Sequence, residues 1–532
     1  MSKQVFVRDA TGLVRELSFW DQFLIVSAII VVLDAFVATQ IFAPFYFPGA
    51  NLIIVIIIGA LMAVPVAYVY GKAAGAIARS GADYVWSTRI MGPLYGSVQF
   101  VFILATTITG IVFVIWSQFA FAISPTVFAV GVSTNNLSLA NFGISLGSPG
   151  FGYPGSMILL VVDLIISILS VRVFRTVFRV FVPIFFAINI FFILMLLSIN
   201  PSTLAPLFDH AMKFSGYNIT YTGLTQQAAA AGYAPSSVGF NWQNTLLCAL
   251  PWGFLPYGGF QYASYLAGET KNAKTSIMRA MMLSILVTAT LLVIMAVLTY
   301  QDLGSQFIYS ASYIAAVNPG AMPVLPFETF IIGLMNPVIA VVFGFGLFIG
   351  SMVNAIGYII TMSRMTFAAS FDSMVPRRFA DVSERWHSPY FAVLLVGVFS
   401  GLWMTVYWNY GPYASLLNTS ILLPIAYAMP LLAIALLPYI KPSLYERIFG
   451  SMRGASILSI AGLLGVAGFI VYAFAETFPI SSGTFLGTSL QLAYEVVALM
   501  IVIGVLLYVD GRFRLKRLGV PMKGLFAEIP PE

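Results

Sequence analysis

Few side chains in this sequence are equipped for chemistry, and the most isolated of them is Asp34. Ile30 to Leu33 precede it and Ala35, Phe36 and Val37 follow, all apolar. An unpaired carboxylate in such a stretch either keeps its proton or faces water, an ion or an ammonium group. The bland alternative is a neutral acid bonded to a neighbouring helix. A second signal runs from Leu250 to Ala263, where Pro251, Gly253, Pro256, Gly258 and Gly259 cannot sustain one continuous helix. Freed backbone N–H groups there, around Gly258, Gly259, Phe260 and Gln261, can hold a carboxylate at a helix N-terminus. The alternative is a proline-kinked packing helix. Trp252 and Tyr257 in the same segment are either aromatic lids or packing residues. Ser351 and Asn354 offer oxygen ligands for an ion, although Gly344, Gly346 and Gly350 beside them also suit close helix packing.

Other reactive groups are sparse. Asp163 reads as a packing acid that hydrogen-bonds a neighbouring helix, and Glu495 as one that reaches toward an interface. Cys248 is the one cysteine, so an intrachain disulfide is excluded, and it reads as a small buried hydrophobe. His210 and His387 fall in polar connections and are expected to be exposed. One thiol and two imidazoles leave most nucleophilic, zinc and haem chemistries without parts. Neither an enzyme nor a bound cofactor or metal is expected.

The elements that must position these residues follow from composition. Of 532 residues, 60% are apolar and only 8% are charged, where a soluble protein carries roughly 25%. That excludes a soluble globule and a disordered chain, and leaves an all-α polytopic membrane protein. Stretches long enough to cross about 30 Å of hydrocarbon number twelve. They lie near 20–46, 51–70, 96–123, 155–171, 180–199, 244–266, 280–299, 329–362, 391–408, 414–437, 456–475 and 490–509.

With an even number of spans and a cytoplasmic N-terminus, every one of the 25 Lys and Arg residues except Lys213 falls in a cytoplasmic segment. Lysine and arginine bias sets orientation, so a multi-pass protein of the cell membrane with both termini on the cytoplasmic side is expected. The net charge of +6 is therefore topological, and no nucleic-acid footprint is implied. The first span reads as uncleaved, and no myristoylation glycine follows Met1. The 124–154 stretch and the polar 200–243 loop read as extracellular connections.

Three motifs resemble those of amino acid permeases in the amino acid–polyamine–organocation superfamily. Arg79 to Trp86 followed by Gly92 to Gly96 is similar to the segment after the family's second helix. Tyr257 to Asn272, ending in Glu269, Thr270, Lys271 and Asn272, resembles its sixth-helix signature. Ser363 and Arg364 through Asp372 and Pro376 resemble the exit from its eighth helix. The resemblance covers about residues 20–440. It implies the leucine-transporter (LeuT-like) fold: inverted five-helix repeats over 20–199 and 244–437, helices 11 and 12 over 438–509, and cytoplasmic tails at 1–19 and 510–532.

In that fold spans 1 and 6 unwind around the substrate, which places backbone of Ala35, Phe36 and Val37 and of Gly258 and Gly259 at its carboxylate and ammonium. The family's first-helix glycine motif is not evident and aligns near Leu33–Val37 or near Ala38–Ile41. Gln261 replaces the usual Asp, Gly268 replaces a Glu, and Lys72 replaces a common Glu. Span 5, placed at 180–199, lacks the lysine that some proton-coupled relatives use, which leaves Asp34 as the coupling candidate. The resemblance implies a permease moving amino acids or related amines by alternating access, coupled to a proton, with sodium as the alternative ion. Exchange of another organic cation or a polyamine is the next reading, and a channel or pump subunit comes after it. Its partners are then the amine substrate, the coupling ion and the lipid bilayer.

Overall fold

The computed structural model describes residues 15–30, 32–169, 171–233, 241–318, 320–325, 328–386, 388–409, 419–481 and 490–526. Among these the secondary structure is helical, apart from an isolated bridge between Leu17 and Thr270. Eleven helices among the described residues are long and apolar enough to cross a membrane: α1 (Phe19–Tyr46), α2 (Leu52–Ala76), α3 (Pro93–Ser133), α4 (Pro149–Ile168), α5 (Arg172–Leu196), α6 (Ala273–Asp302), α7 (Pro337–Phe371), α8 (Tyr390–Asn409), α9 (Ile421–Ile440), α10 (Ala455–Thr477) and α11 (Leu490–Arg517).

The expected span at 244–266 is the one without a long helix. It is a chain of short pieces: α-helix over Trp242–Ala249 and Pro251–Phe254, then 3-10 turns over Leu255–Tyr257 and Phe260–Glu269. Pro251 and Pro256 lack the N–H that would carry the ladder through, and Gly259 takes a left-handed φ of +110°.

Several boundaries differ from the hydropathy reading. The third helix continues past residue 123 to Ser133 through a six-residue π-helical turn, Gln118–Ile123. This absorbs the start of the expected 124–154 loop. The rest of that stretch holds a short helix, Leu137–Leu146, and the beginning of α4. Arg172, Arg175 and Arg179, expected in a loop, lie in the first turns of α5. The N-terminus of α7 is set by Asn336, whose side chain accepts from the Val338 amide at 2.8 Å, with Pro337 at the first helical position. Helices Pro201–Phe214 and Tyr221–Ala230 occupy the expected 200–243 loop.

The expected break in the first span is absent where it was placed. Ala35, Phe36 and Val37, and the alternative site Ala38–Ile41, lie within an unbroken helical run over Val32–Tyr46. Between Phe19 and Ala43 the sequence has no glycine or proline to interrupt it. The broken segment is instead seated on α2 by mutual glycines. A Cβ on Gly59 would stand 1.9 Å from the Gly253 carbonyl oxygen, and one on Gly253 would stand 2.1 Å from that of Val55. Only hydrogen-for-methyl substitution lets the backbones approach this closely.

Candidate functional site

The helices enclose a cavity of about 330 Å³, bounded by α1, α3, α7, α8, α9 and the broken segment. Among the described residues that line it, Asp34 is the one charged side chain. Its Oδ1 accepts from the Ser351 hydroxyl at 2.6 Å, and Ser351 lies 3.0 Å from the Ser117 hydroxyl at the π-helical turn of α3. Its Oδ2 is buried without a hydrogen-bond partner. Asn354, one turn along α7, donates to the Ile29 carbonyl at 3.0 Å and leaves its own Oδ1 unpartnered. Three helices thus meet at Asp34, and two polar oxygens there have unused bonding capacity.

Of the residues singled out from sequence, Asp34, Ala35, Trp252, Gly258 and Asn354 form part of the cavity wall. Ser351 stands behind Asp34. Phe36 and Val37 are buried away from the cavity, because the arc of α1 that faces it carries Asp34, Ala35, Ala38 and Phe42. Tyr257, Gly259, Phe260 and Gln261 are likewise buried off the wall. The Tyr257 hydroxyl donates to the Ile56 carbonyl at 3.2 Å, and the Gly259 amide donates to the Gln261 side chain at 3.2 Å. Trp252 stacks with both Phe42 and Tyr46, each at a centroid distance of 5.7 Å.

Sequence reading missed the contribution of α3. Thr106, Thr109, Gly110, Phe113 and Ser117 line the cavity at spacings of three and four, the signature of one helix face. Tyr262, Tyr358, Tyr407 and Tyr427 were missed as well. Nothing in their spacing separates a lining tyrosine from a packing one.

The remaining acids sort differently. Asp163 is 2% exposed, and its Oδ2 makes no hydrogen bond, so the packing bond expected for that oxygen is missing. Nearby Ser167 donates to the Asp163 backbone carbonyl instead. Glu495 is exposed and accepts from Gln491 at 2.9 Å. Cys248 is buried and His210 exposed, whereas His387 lies outside the described residues.

Below the cavity, one end of the bundle is closed by charge. Arg364 pairs with Glu269 at 2.9 Å, and Arg89 forks onto Asp372, all four being buried. Lys441 donates to the Arg89 carbonyl at 2.7 Å, and the Arg89 guanidinium lies 5.0 Å over the Phe526 ring. The amides of Glu16 and Leu17 both donate to the Glu269 carbonyl at 3.0 Å, and Arg179 pairs with Asp21 at 2.7 Å. On the short helix Ala82–Ile90, Asp83 accepts from Tyr265 at 2.7 Å and Tyr70 at 3.3 Å. Burial pushes its carboxyl up to about 7, against the opposing pull of the Tyr265 hydroxyl.

A helical bundle of this length and apolarity, with one acid among the described residues of its chamber wall, is that of a polytopic membrane protein with an internal cavity. The amino acid permease family model matches residues 17–508, and the chain belongs to that family, within the amino acid–polyamine–organocation superfamily. It is accordingly a membrane transporter of amino acids and not an enzyme. No curated protein matches the chain.

Proposed function

We propose that the chain carries amino acids or related amines across the cell membrane by alternating access, with the cavity at Asp34 as the transport site. The broken segment serves as the twelfth crossing, and the spans over 20–199 and 244–437 form inverted repeats. Both termini are then cytoplasmic, a reading supported by the Lys and Arg bias along the sequence. Asp34 either exchanges the coupling proton or meets the substrate ammonium, and Ser351 and Asn354 support it. The observation that carries this reading is the partly unpartnered acid in the cavity wall, at the junction of α1, α3 and α7. Broken helices at membrane depth are tolerated where they line such cavities.

Uptake into proteoliposomes under an imposed pH gradient tests it. Wild-type protein accumulates substrate and Asp34→Asn does not. Accumulation and pH dependence unchanged in the variant would remove Asp34 from coupling. Replacing the proton gradient with a sodium gradient separates the two coupling ions.

A further inference from the structure

We infer that the cavity recognises its substrate by the ammonium group and the apolar body, with little contribution from the α-carboxylate. Its substrate class is then aromatic-bodied primary amines, of which bulky neutral amino acids are one subset. This rests on the cavity being the transport site.

Three observations carry it. The wall holds one acid, Asp34, and, among the described residues, no basic side chain to set against a carboxylate. Burying an ionised carboxylate without a counter-charge or strong donors is costly. Two of the amides that would serve as donors are already engaged. Gly258 donates to the Phe254 and Leu255 carbonyls at 3.0 Å, and Gly259 donates to Gln261. Phe260 and Gln261, next along the chain, stand off the wall, and α1 is helical through Ala35–Val37.

The hydroxyls of Thr106 and Thr109 donate back to the Phe102 and Ala105 carbonyls, at 2.7 and 3.0 Å. Phenols at Tyr358 and Tyr407 can solvate a carboxylate but cannot neutralise it. An ammonium finds the opposite environment. Asp34 has an unpartnered oxygen, and Trp116, Trp252, Phe42 and Tyr46 line the wall with aromatic, largely apolar area for the rest of the molecule. A volume of about 330 Å³ is at the lower end of small-molecule pockets, sized for one ring and a short amine tail.

The test uses three compounds that share one body: phenylalanine, phenethylamine (no carboxylate) and 3-phenylpropionate (no ammonium). Binding to the purified full-length protein is titrated calorimetrically, and uptake of radiolabelled phenylalanine is measured in parallel. The expected result is phenethylamine within about threefold of phenylalanine and 3-phenylpropionate at least about tenfold weaker than both. Asp34→Asn lowers affinity for the two amines together, and Asp34→Glu restores part of it. Phenylalanine at least about tenfold tighter than phenethylamine overturns the inference. Saturable phenylalanine uptake in that case leaves the transport reading intact. Amine binding unaffected by Asp34→Asn also overturns it. Binding and uptake of none of the three removes this inference and the aromatic amino acids from the transport reading together.

Discussion

The cavity and the closed basic end use polar groups in opposite ways. At the basic end Arg364 meets Glu269, Arg89 meets Asp372 and Asp21 meets Arg179, so each of these charges has an opposite charge within bonding distance. In the cavity Asp34 has a serine on one oxygen and nothing on the other, and Asn354 keeps a free carbonyl oxygen. The first region spends its bonding capacity on holding helices together, while the second keeps some in reserve for a ligand. The motifs that resemble the permease family, Arg79 to Trp86, Glu269 to Asn272 and Arg364 to Asp372, fall mostly in the first region. The departures are spread over the molecule: Gly268 adjoins Glu269 in the first region, and Gln261 is buried off the cavity wall.

Four measurements can break or sharpen that contrast. Arg89→Ala strands Asp372 as a buried, unpaired carboxylate and should cost about 3–5 kcal/mol. It is read as a lowered melting temperature in detergent, and Arg89→Met with Asp372→Leu should recover most of the loss. A melting temperature unchanged in the single variant would mean that the pair does not close this end.

Gly253→Ala pushes a methyl into the Val55 carbonyl and should cost about 1–3 kcal/mol by forcing the broken segment off α2. Substrate affinity is expected to fall with it, since Trp252 moves too. Affinity held at the wild-type value would uncouple that seat from the cavity.

Asp34→Asn should raise stability by about 0.5–2 kcal/mol while transport is lost, as expected for an acid kept for function at a structural cost. A lowered melting temperature would instead place Asp34 with the structural charges.

The smallest effect concerns pH. The native Asp83 carboxyl keeps its proton up to about pH 7, whereas the unfolded chain releases it near 3.8. The native state therefore binds more protons over that interval, and stability declines as pH rises through it. Asp83→Asn should flatten the decline in a melting-temperature series. A slope that persists in the variant would assign it to another group.

Much of the architecture was legible because lipid imposes a long apolar period that composition cannot hide. Eleven of the expected spans correspond to long helices, and the twelfth, dense in proline and glycine, is the segment that breaks. Helix ends were less legible, because partners from elsewhere decide them. Arg179 extends α5 toward its ion pair with Asp21, and the π-helical turn at Gln118 carries α3 past an apparent stop. Within the site, Asp34 stood out by rarity alone. Phe36 and Val37 were drawn in by an expected unwinding that the residues from Phe19 to Ala43, lacking glycine and proline, do not provide.

From the sequence alone came the membrane class, the break at Pro251–Gly259, the basic-residue alternation and the singular acid. Each depends on local composition, which the bilayer and the backbone read directly. Tertiary structure alone decided that Ser351 and Ser117 converge on Asp34, that the face of α3 from Thr106 to Ser117 lines the cavity, and that Glu269 belongs to an ion pair beneath it. Those contacts join residues as many as 317 positions apart. Such pairings depend on which helix faces meet across the bundle, and no local period in the chain encodes that.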